Sequence, residues 1–523
     1  MAENNNGDFT PNFQNSKELS KISNFVKNIL TVKNPDNMIK QAQDGGLKKT
    51  LGGFDLIILG VGAIIGSGIF TVVGLAALES GPSLTLSMIL ASLACVFSAL
   101  CYSEFAAMIP ASGGAYTYTY ATMGEFMAWI VGWVLMLEYL VGYIAVVSAW
   151  SGYLMQLISG IPGIPHWLSN PPIYLIHDYS TAVSQLTSQG IDPSTVIPQF
   201  LGIPLCINIP GLLITFFIIA TLIKGMQESK NMTGILVVIK IAVVAAFVIT
   251  GFFYVKPENW TPFMPNGISG MFASAFTIFF AYIGFDAIAT AAEETKNPQK
   301  NLPIGIIGSL IVCTICYVLV ALVLTGLVPL DMIDTQAPIA SAMAMVGQNW
   351  VAGFISIGAL TGLTSVLLVL MLAGTRILFS MSRDNFLPKA FQKIHPKFQT
   401  PHVLTYMVGT ICIIGSLFLD IQKAADLVNF GAVAAFIIVC LAVLILRKKD
   451  PQRHRPFKVP CCPLFPILGA LCCGGLMVYS MTLKPLSTML FLAWIVIGVA
   501  CYLLYSYRQQ RLAQQNTNEE NNV

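Results

Sequence analysis

The chain has 523 residues, 55% apolar and 10% charged, with a formal net charge of +3 and a mean hydropathy of +0.72. Soluble domains carry nearer 25% charged residues, so that class is excluded and a polytopic helical membrane protein is what fits. The small positive balance says nothing about nucleic acid, because the basic residues follow membrane topology.

In chain order, residues 1–16 are Asn-rich and read as disordered, as does the tail over 512–523, and no cleavable signal peptide is expected. Residues 17–31 put Leu19, Ile22, Phe25, Val26, Ile29 and Leu30 on one helical face with lysines elsewhere. That pattern suits an amphipathic helix on a membrane surface, within a cytoplasmic segment 1–44. Apolar runs follow at roughly 54–78, 83–108, 124–158, 209–223, 231–253, 270–292, 303–328, 351–381, 402–419, 427–446, 463–482 and 485–505. They predict twelve transmembrane helices, here spans 1 to 12. Residues 45–258 hold spans 1–5, 259–450 hold spans 6–10, and 451–511 hold spans 11 and 12.

Orientation follows from Lys and Arg between the spans. With the N-terminus inside, the inner segments hold 23 and the outer ones only Lys256, Lys423 and Lys484; the long loop 159–208 has none. Both termini are therefore expected in the cytoplasm. Most of the twelve Cys fall inside apolar runs without metal-ligand spacing, so they read as packing residues.

Span 1 carries Gly66-Ser67-Gly68 at its middle, a poor helix former where a helix should be continuous. A break in hydrocarbon is tolerated only where it faces protein or a water-filled cavity. Past the break, free N–H groups and a positive dipole end would suit a carboxylate. Small residues also permit close helix packing, and the motif alone leaves both readings open.

Charges within spans are costly and usually functional. Lys240 lies about ten residues into span 5, so about 15 Å deep at 1.5 Å per residue, too deep to snorkel. Arg376 is near the inner end of span 8 and can snorkel. Glu138 sits inside span 3 and Asp286 inside span 6, each a candidate for a buried network or for substrate contact. Glu104, Glu293 and Glu294 suit a cytoplasmic gate or helix capping. No His lies in the body of a span and no Ser/His/Asp grouping can be assembled at membrane depth, so no catalytic residue, metal site or cofactor is expected.

Span 6 is interrupted as well, by Gly284 and Asp286 in Phe279-Phe-Ala-Tyr-Ile-Gly-Phe-Asp286. Spans 1 and 6 head two five-span sets, and five being odd, the sets cross in opposite senses. Interrupted spans at matching positions of inverted halves point to a transport site at the midplane. Span 1 N–H groups would take a carboxylate and span 6 carbonyls an ammonium, which makes an amino acid the natural ligand.

The sequence resembles the amino acid/polyamine/organocation transporter superfamily, and within it the cationic amino acid transporter branch. The resemblance is carried by Gly45-Gly-Leu-Lys-Lys-Thr-Leu-Gly-Gly-Phe-Asp55 leading into Gly62-Ala-Ile-Ile-Gly-Ser-Gly-Ile-Phe70, by Tyr102-Ser-Glu-Phe-Ala-Ala-Met-Ile-Pro-Ala-Ser-Gly-Gly-Ala-Tyr116 and Leu137-Glu-Tyr139. Ala281-Tyr-Ile-Gly-Phe-Asp286, Glu293-Glu-Thr-Lys-Asn-Pro298 and Met381-Ser-Arg-Asp-Asn385 complete it over about residues 45–505. It implies a LeuT-like five-plus-five inverted-repeat fold with two extra C-terminal helices, working by alternating access in a plasma membrane of bacterial inner-membrane type.

The resemblance further implies that the backbone of Ile64, Gly66, Ser67 and Gly68 surrounds a substrate carboxylate. Phe280, Ala281 and Ile283 would offer carbonyls to the ammonium, with Asp286 close by. Lys240 matches the span 5 lysine that takes the cation position in proton-coupled members, beside Gly62 and Ile65. A lysine so placed can change charge with water access and bound substrate. Asp286 and Glu138 would suit a basic side chain, whereas Leu370 facing the pocket would admit only small neutral ones; the sequence leaves both open. Protons and membrane lipid are the other partners expected. An amino acid/amine exchanger and a non-transporting receptor of the same fold are the alternative functions.

Overall fold

Span by span, the apolar runs are helical in the computed structural model of the protein, which describes residues 29–44, 49–159, 161, 163–200, 203, 204, 206–224, 226–335, 337–398, 400–419 and 421–509. The helix expected over 17–31, beyond its last three residues, and the disorder expected over 1–16 and 512–523 lie outside these residues.

Span 1 is split into Gly53–Ile64 and a second half ending at Ser80, and span 2 is Leu84–Met108. The corner between them needs glycine: Gly81 has φ +63°, and a Cβ there would stand 2.5 Å from Pro265. Span 3 is Glu125–Ser159, span 4 Ile209–Lys224 and span 5 Met226–Phe252. Span 6 begins as Gly267–Phe279, and spans 7 and 8 are Pro298–Leu327 and Asn349–Arg383. His402–Gly415, Ile421–Lys449, Leu464–Leu483 and Pro485–Cys501 are spans 9 to 12. At 35 residues each, spans 3 and 8 measure about 52 Å at 1.5 Å per residue, so they must cross a hydrocarbon layer of about 30 Å at a tilt or project beyond it.

Spans 1, 2, 6 and 7 pack as one group, and spans 3, 8 and 10 as another around which spans 4, 5 and 9 lie. This is an all-α polytopic membrane fold of the five-plus-five type, with spans 11 and 12 added against spans 10, 2 and 3.

The connections lock the face that carries the termini. Before span 1, the N–H groups of Thr50 and Leu51 donate to Glu294 O (2.8 and 3.0 Å), and Lys296 N–H returns to Leu51 O (2.8 Å). Glu104 of span 2 accepts from Arg447 (2.5 Å) and from the Val459 N–H (2.7 Å), with Arg455 3.3 Å away. It therefore fastens the span 10–11 connection rather than capping a helix. Helix Pro35–Asp44 buries Met38 and Ala42, while Lys33 pairs with Asp384 (2.5 Å) and Asp36 with Arg453 (2.6 Å).

On the other face, helix Tyr179–Ser188 is capped by Asp178, which accepts from Thr181 N–H at 2.9 Å. A small apolar cluster of Ala182, Leu186, Ile197 and Cys206 holds this loop together.

Candidate functional site

Span 1 leaves the helix at Ile65, whose backbone is extended (φ −73°, ψ 101°), and resumes in a π-type turn, Gly68–Val72, before Val73–Ser80. Such turns concentrate at functional sites. The N–H groups of Gly66 and Ser67 donate to no protein acceptor among the described residues.

The carbonyls of Gly62 and Ile65, on the other side of the break, are taken. Lys240, fully buried in span 5, donates through Nζ to Gly62 O (3.0 Å) and Ile65 O (2.6 Å). Ser365 of span 8 also donates to Gly62 O (3.0 Å). No carboxylate pairs with Lys240 among the described residues, so its positive end rests on backbone dipoles. Buried charge is costly unless hydrogen-bonded, and the broken helix supplies the acceptors.

In span 6 the helix tightens at Phe280–Tyr282, Ile283 is extended (φ −64°, ψ 137°), and Gly284 takes φ +126° before Ala287–Thr290. Only glycine suits that angle, and a Cβ there would also stand 2.9 Å from the Ala63 side chain. Ala281 O is 2.9 Å and Ile64 O 2.7 Å from the Tyr317 hydroxyl of span 7, so one phenol bridges the two breaks. The breaks also touch directly: a Cβ on Gly68 would lie 2.3 Å from Ala281 Cα. Phe280 O accepts a long bond from Ile283 N–H (3.4 Å), and Ile283 O takes no donor among the described residues.

Asp286 is engaged from two sides. The Tyr139 hydroxyl donates to its Oδ2, and Gly284 N–H donates to Oδ1 at 3.2 Å. It pins the span 6 bend to span 3. Glu138, one residue before Tyr139, is fully buried, and neither of its carboxylate oxygens has a hydrogen-bond partner among the described residues. The side wall nearest the span 1 break is apolar. Val366 lies against Gly66, and Leu370, one turn on, approaches Gly142 of span 3.

Arg376 does not snorkel. It is buried and donates to Glu294, while Arg383 reaches Glu293 at 3.3 Å and Ser112 N–H donates to Glu293 at 2.9 Å. These pairs close the face that carries the termini. The opposite face holds a cavity of about 670 Å³ whose lining includes Thr71, Ser148, His177, Lys423, Asp426 and Lys484. The hydroxyls of Thr71 and Ser148 have no hydrogen-bond partner among the described residues. Lys484 pairs with Asp426 (2.5 Å), and burial keeps His177 below the ordinary 6.5 of an imidazole.

Sequence reasoning did not single out Tyr317, Ser365, Val366 or the role of Tyr139. Polar hydroxyls within apolar runs were the available signal, since a buried phenol needs a partner.

Two broken helices in contact at membrane depth, with buried ion pairs on one face and a cavity on the other, define a membrane transporter of the inverted-repeat class. The sequence model of the amino acid permeases matches residues 51–504. The branched-chain amino acid permease BcaP of Bacillus subtilis (strain 168) is 45% identical over 470 residues, 90% of this chain and 95% of that relative. The methylthioribose transporter of the same organism is 42% identical over 91% of this chain and 97% of its own length. Cationic amino acid transporter 9, chloroplastic, of Arabidopsis thaliana is 34% identical over 79% of this chain and 69% of its own length. The chain belongs to the amino acid permease family.

Proposed function

We propose that the protein moves a neutral aliphatic amino acid across the plasma membrane by alternating access, driven by protons through Lys240. The observation that carries this is the bond set of Lys240 to Gly62 O and Ile65 O. A proton gained or lost at Nζ changes how firmly the two carbonyls are held, and with them the shape of the break. The substrate carboxylate then meets the N–H groups at Gly66, Ser67 and Gly68, beside Ile64. Its ammonium meets the carbonyl end of span 6 at Phe280, Ala281 and Ile283. The site lies between the repeats 45–258 and 259–450.

A neutral side chain is favoured over a basic one. Asp286 is already held by Tyr139 and Gly284, and Val366 and Leu370 form an apolar wall. The similarity to branched-chain amino acid permeases agrees. A second reading, a thioether sugar, is favoured by the match to the methylthioribose transporter; such a substrate has no carboxylate for the span 1 N–H groups.

Uptake into proteoliposomes of labelled leucine, alanine, lysine and methylthioribose, with and without an imposed pH gradient, tests both readings. Leucine accumulation that collapses with a proton ionophore supports the first. Methylthioribose uptake without leucine uptake supports the second, and sodium-dependent uptake indifferent to the ionophore sinks proton coupling. The basic-residue asymmetry favours both termini in the cytoplasm. Exposed Cys461, between spans 10 and 11, should then resist a membrane-impermeant thiol reagent on intact cells.

A further inference from the structure

Between the start of span 7 and the connection from span 10 to span 11 lies a groove of about 550 Å³, separate from the transport path. Its upper edge is polar, with Gln299 and Lys300 in the first turn of span 7. Below, Ile304, Ile307 and Ile311 form a stripe on one side, and Pro456 and Phe457 close the other. Ile304 and Ile311 are 41% and 52% exposed, on the side of span 7 that does not pack on spans 1 and 2.

We propose that this groove binds one acidic phospholipid of the cytoplasmic leaflet, a reading that rests on the inside placement of the termini given above. The charge pattern selects this occupant. Lys300 is exposed and lines the groove, Lys296 and Lys458 are exposed on its two flanking segments, and no carboxylate is among the lining residues. The first turn of the 30-residue span 7 adds its positive dipole end at the same edge. A phosphate at Lys300 leaves its acyl chain to run down the isoleucine stripe, along the axis of span 7 and parallel to the lipid tails. Juxtamembrane cations attract anionic lipid headgroups. A second groove at membrane depth, around Leu90, Phe272 and Leu471, is lined by no charged residue and has no such preference.

The site touches the transport machinery. Asn301 packs on Gly53 at the start of span 1, and Gly308, in the groove wall, lies against Ile57 of span 1. A lipid seated there supports the inner half of span 1 from behind.

The test is native mass spectrometry of the full chain released from nanodiscs containing equal phosphatidylglycerol and phosphatidylcholine. Nanodiscs offer both lipids in both leaflets, so the result does not depend on which termini face inward. The wild type should retain one phosphatidylglycerol in preference to phosphatidylcholine. Lys300→Gln should lower that preference about fivefold, the equivalent of about 1 kcal/mol, and Ile304→Trp should displace the lipid by filling the groove. Lys389→Gln, on the same face but away from the groove, should retain it. Equal retention of the two lipids overturns the proposal, as does equal loss in Lys300→Gln and Lys389→Gln. So does a mass shift to a dimer that Ile304→Trp abolishes, which would make the occupant a second copy. Substrate binding measured on each variant shows that it is folded.

Discussion

Lys240 Nζ stands 2.6 Å from the carbonyl oxygen of Ile65, the residue at which span 1 leaves the helix. A helical carbonyl would be occupied by an amide four residues on; here a side chain from another span replaces it. The position of one lysine ammonium and the geometry of the span 1 break are thereby tied together.

Replacing Lys240 by Ala should abolish gradient-driven accumulation while exchange of bound substrate persists at a reduced rate. Lys240→Arg should not restore it, because Arg cannot be deprotonated in a protein. Full pH-driven uptake by either variant in proteoliposomes would refute the coupling role.

Gly66 and Gly68 should respond differently to the same methyl group. At Gly68 a Cβ meets the Ala281 backbone, which cannot rotate away; at Gly66 it meets Val366 Cγ2 at 2.5 Å, the end of a side chain. Overpacking costs typically about 1–3 kcal/mol, so Gly68→Ala should weaken substrate binding by roughly tenfold or more. Gly66→Ala should weaken it less and be relieved by Val366→Ala. Rescue of Gly68→Ala by Val366→Ala would show that the breaks do not touch as described.

Asp286→Asn and Tyr139→Phe should weaken leucine and lysine binding alike. Each removes a hydrogen bond that holds the span 6 bend, and bonds to charged groups are worth about 1.5–3 kcal/mol. A loss confined to lysine would instead mean that Asp286 reads a basic side chain. Isothermal binding of both amino acids to each variant distinguishes the two.

Tyr317→Phe removes the phenol shared by Ile64 O and Ala281 O. A neutral hydrogen bond contributes about 0.5–1.5 kcal/mol, so affinity should fall by roughly two- to tenfold. Wild-type affinity in this variant would show that contact between the glycines alone aligns the breaks.

His177 makes the loop between spans 3 and 4 sensitive to acid. Its folded-state pKa is depressed by burial, so the folded loop binds fewer protons than the unfolded one. Stability is therefore complete above the unfolded value of 6.5 and lost as pH falls below it. Asp178, Lys423, Asp426 and Lys484 share the cavity with it. Amide exchange in Tyr179–Ser188, corrected for intrinsic rates, should quicken at pH 5 in the wild type and stay flat in His177→Gln. An unchanged acid response in His177→Gln would assign it to another group.

Much of this protein is determined by its sequence alone. Composition compels a membrane environment, and apolar run lengths give the twelve crossings, because backbone polar groups in hydrocarbon must be satisfied within helices. Gly66-Ser67-Gly68 and Gly284 mark the two breaks for the same reason: glycine is the residue that leaves a helix cheaply and tolerates φ +126°. The depth of Lys240 follows from counting residues. Side-chain direction does not. Glu138 and Asp286 are equivalent in sequence, both single carboxylates within apolar runs, yet Asp286 is held by Tyr139 and Gly284 while Glu138 finds no hydrogen-bond partner among the described residues. Arg376 and Glu294 are likewise 82 residues apart in the chain, and only the packing of span 8 on span 6 turns an arginine able to snorkel into half of a buried ion pair. Which face a polar group presents, and which partner it finds, is decided by helix rotation and crossing. Those depend on the summed packing of all twelve spans and not on any one of them.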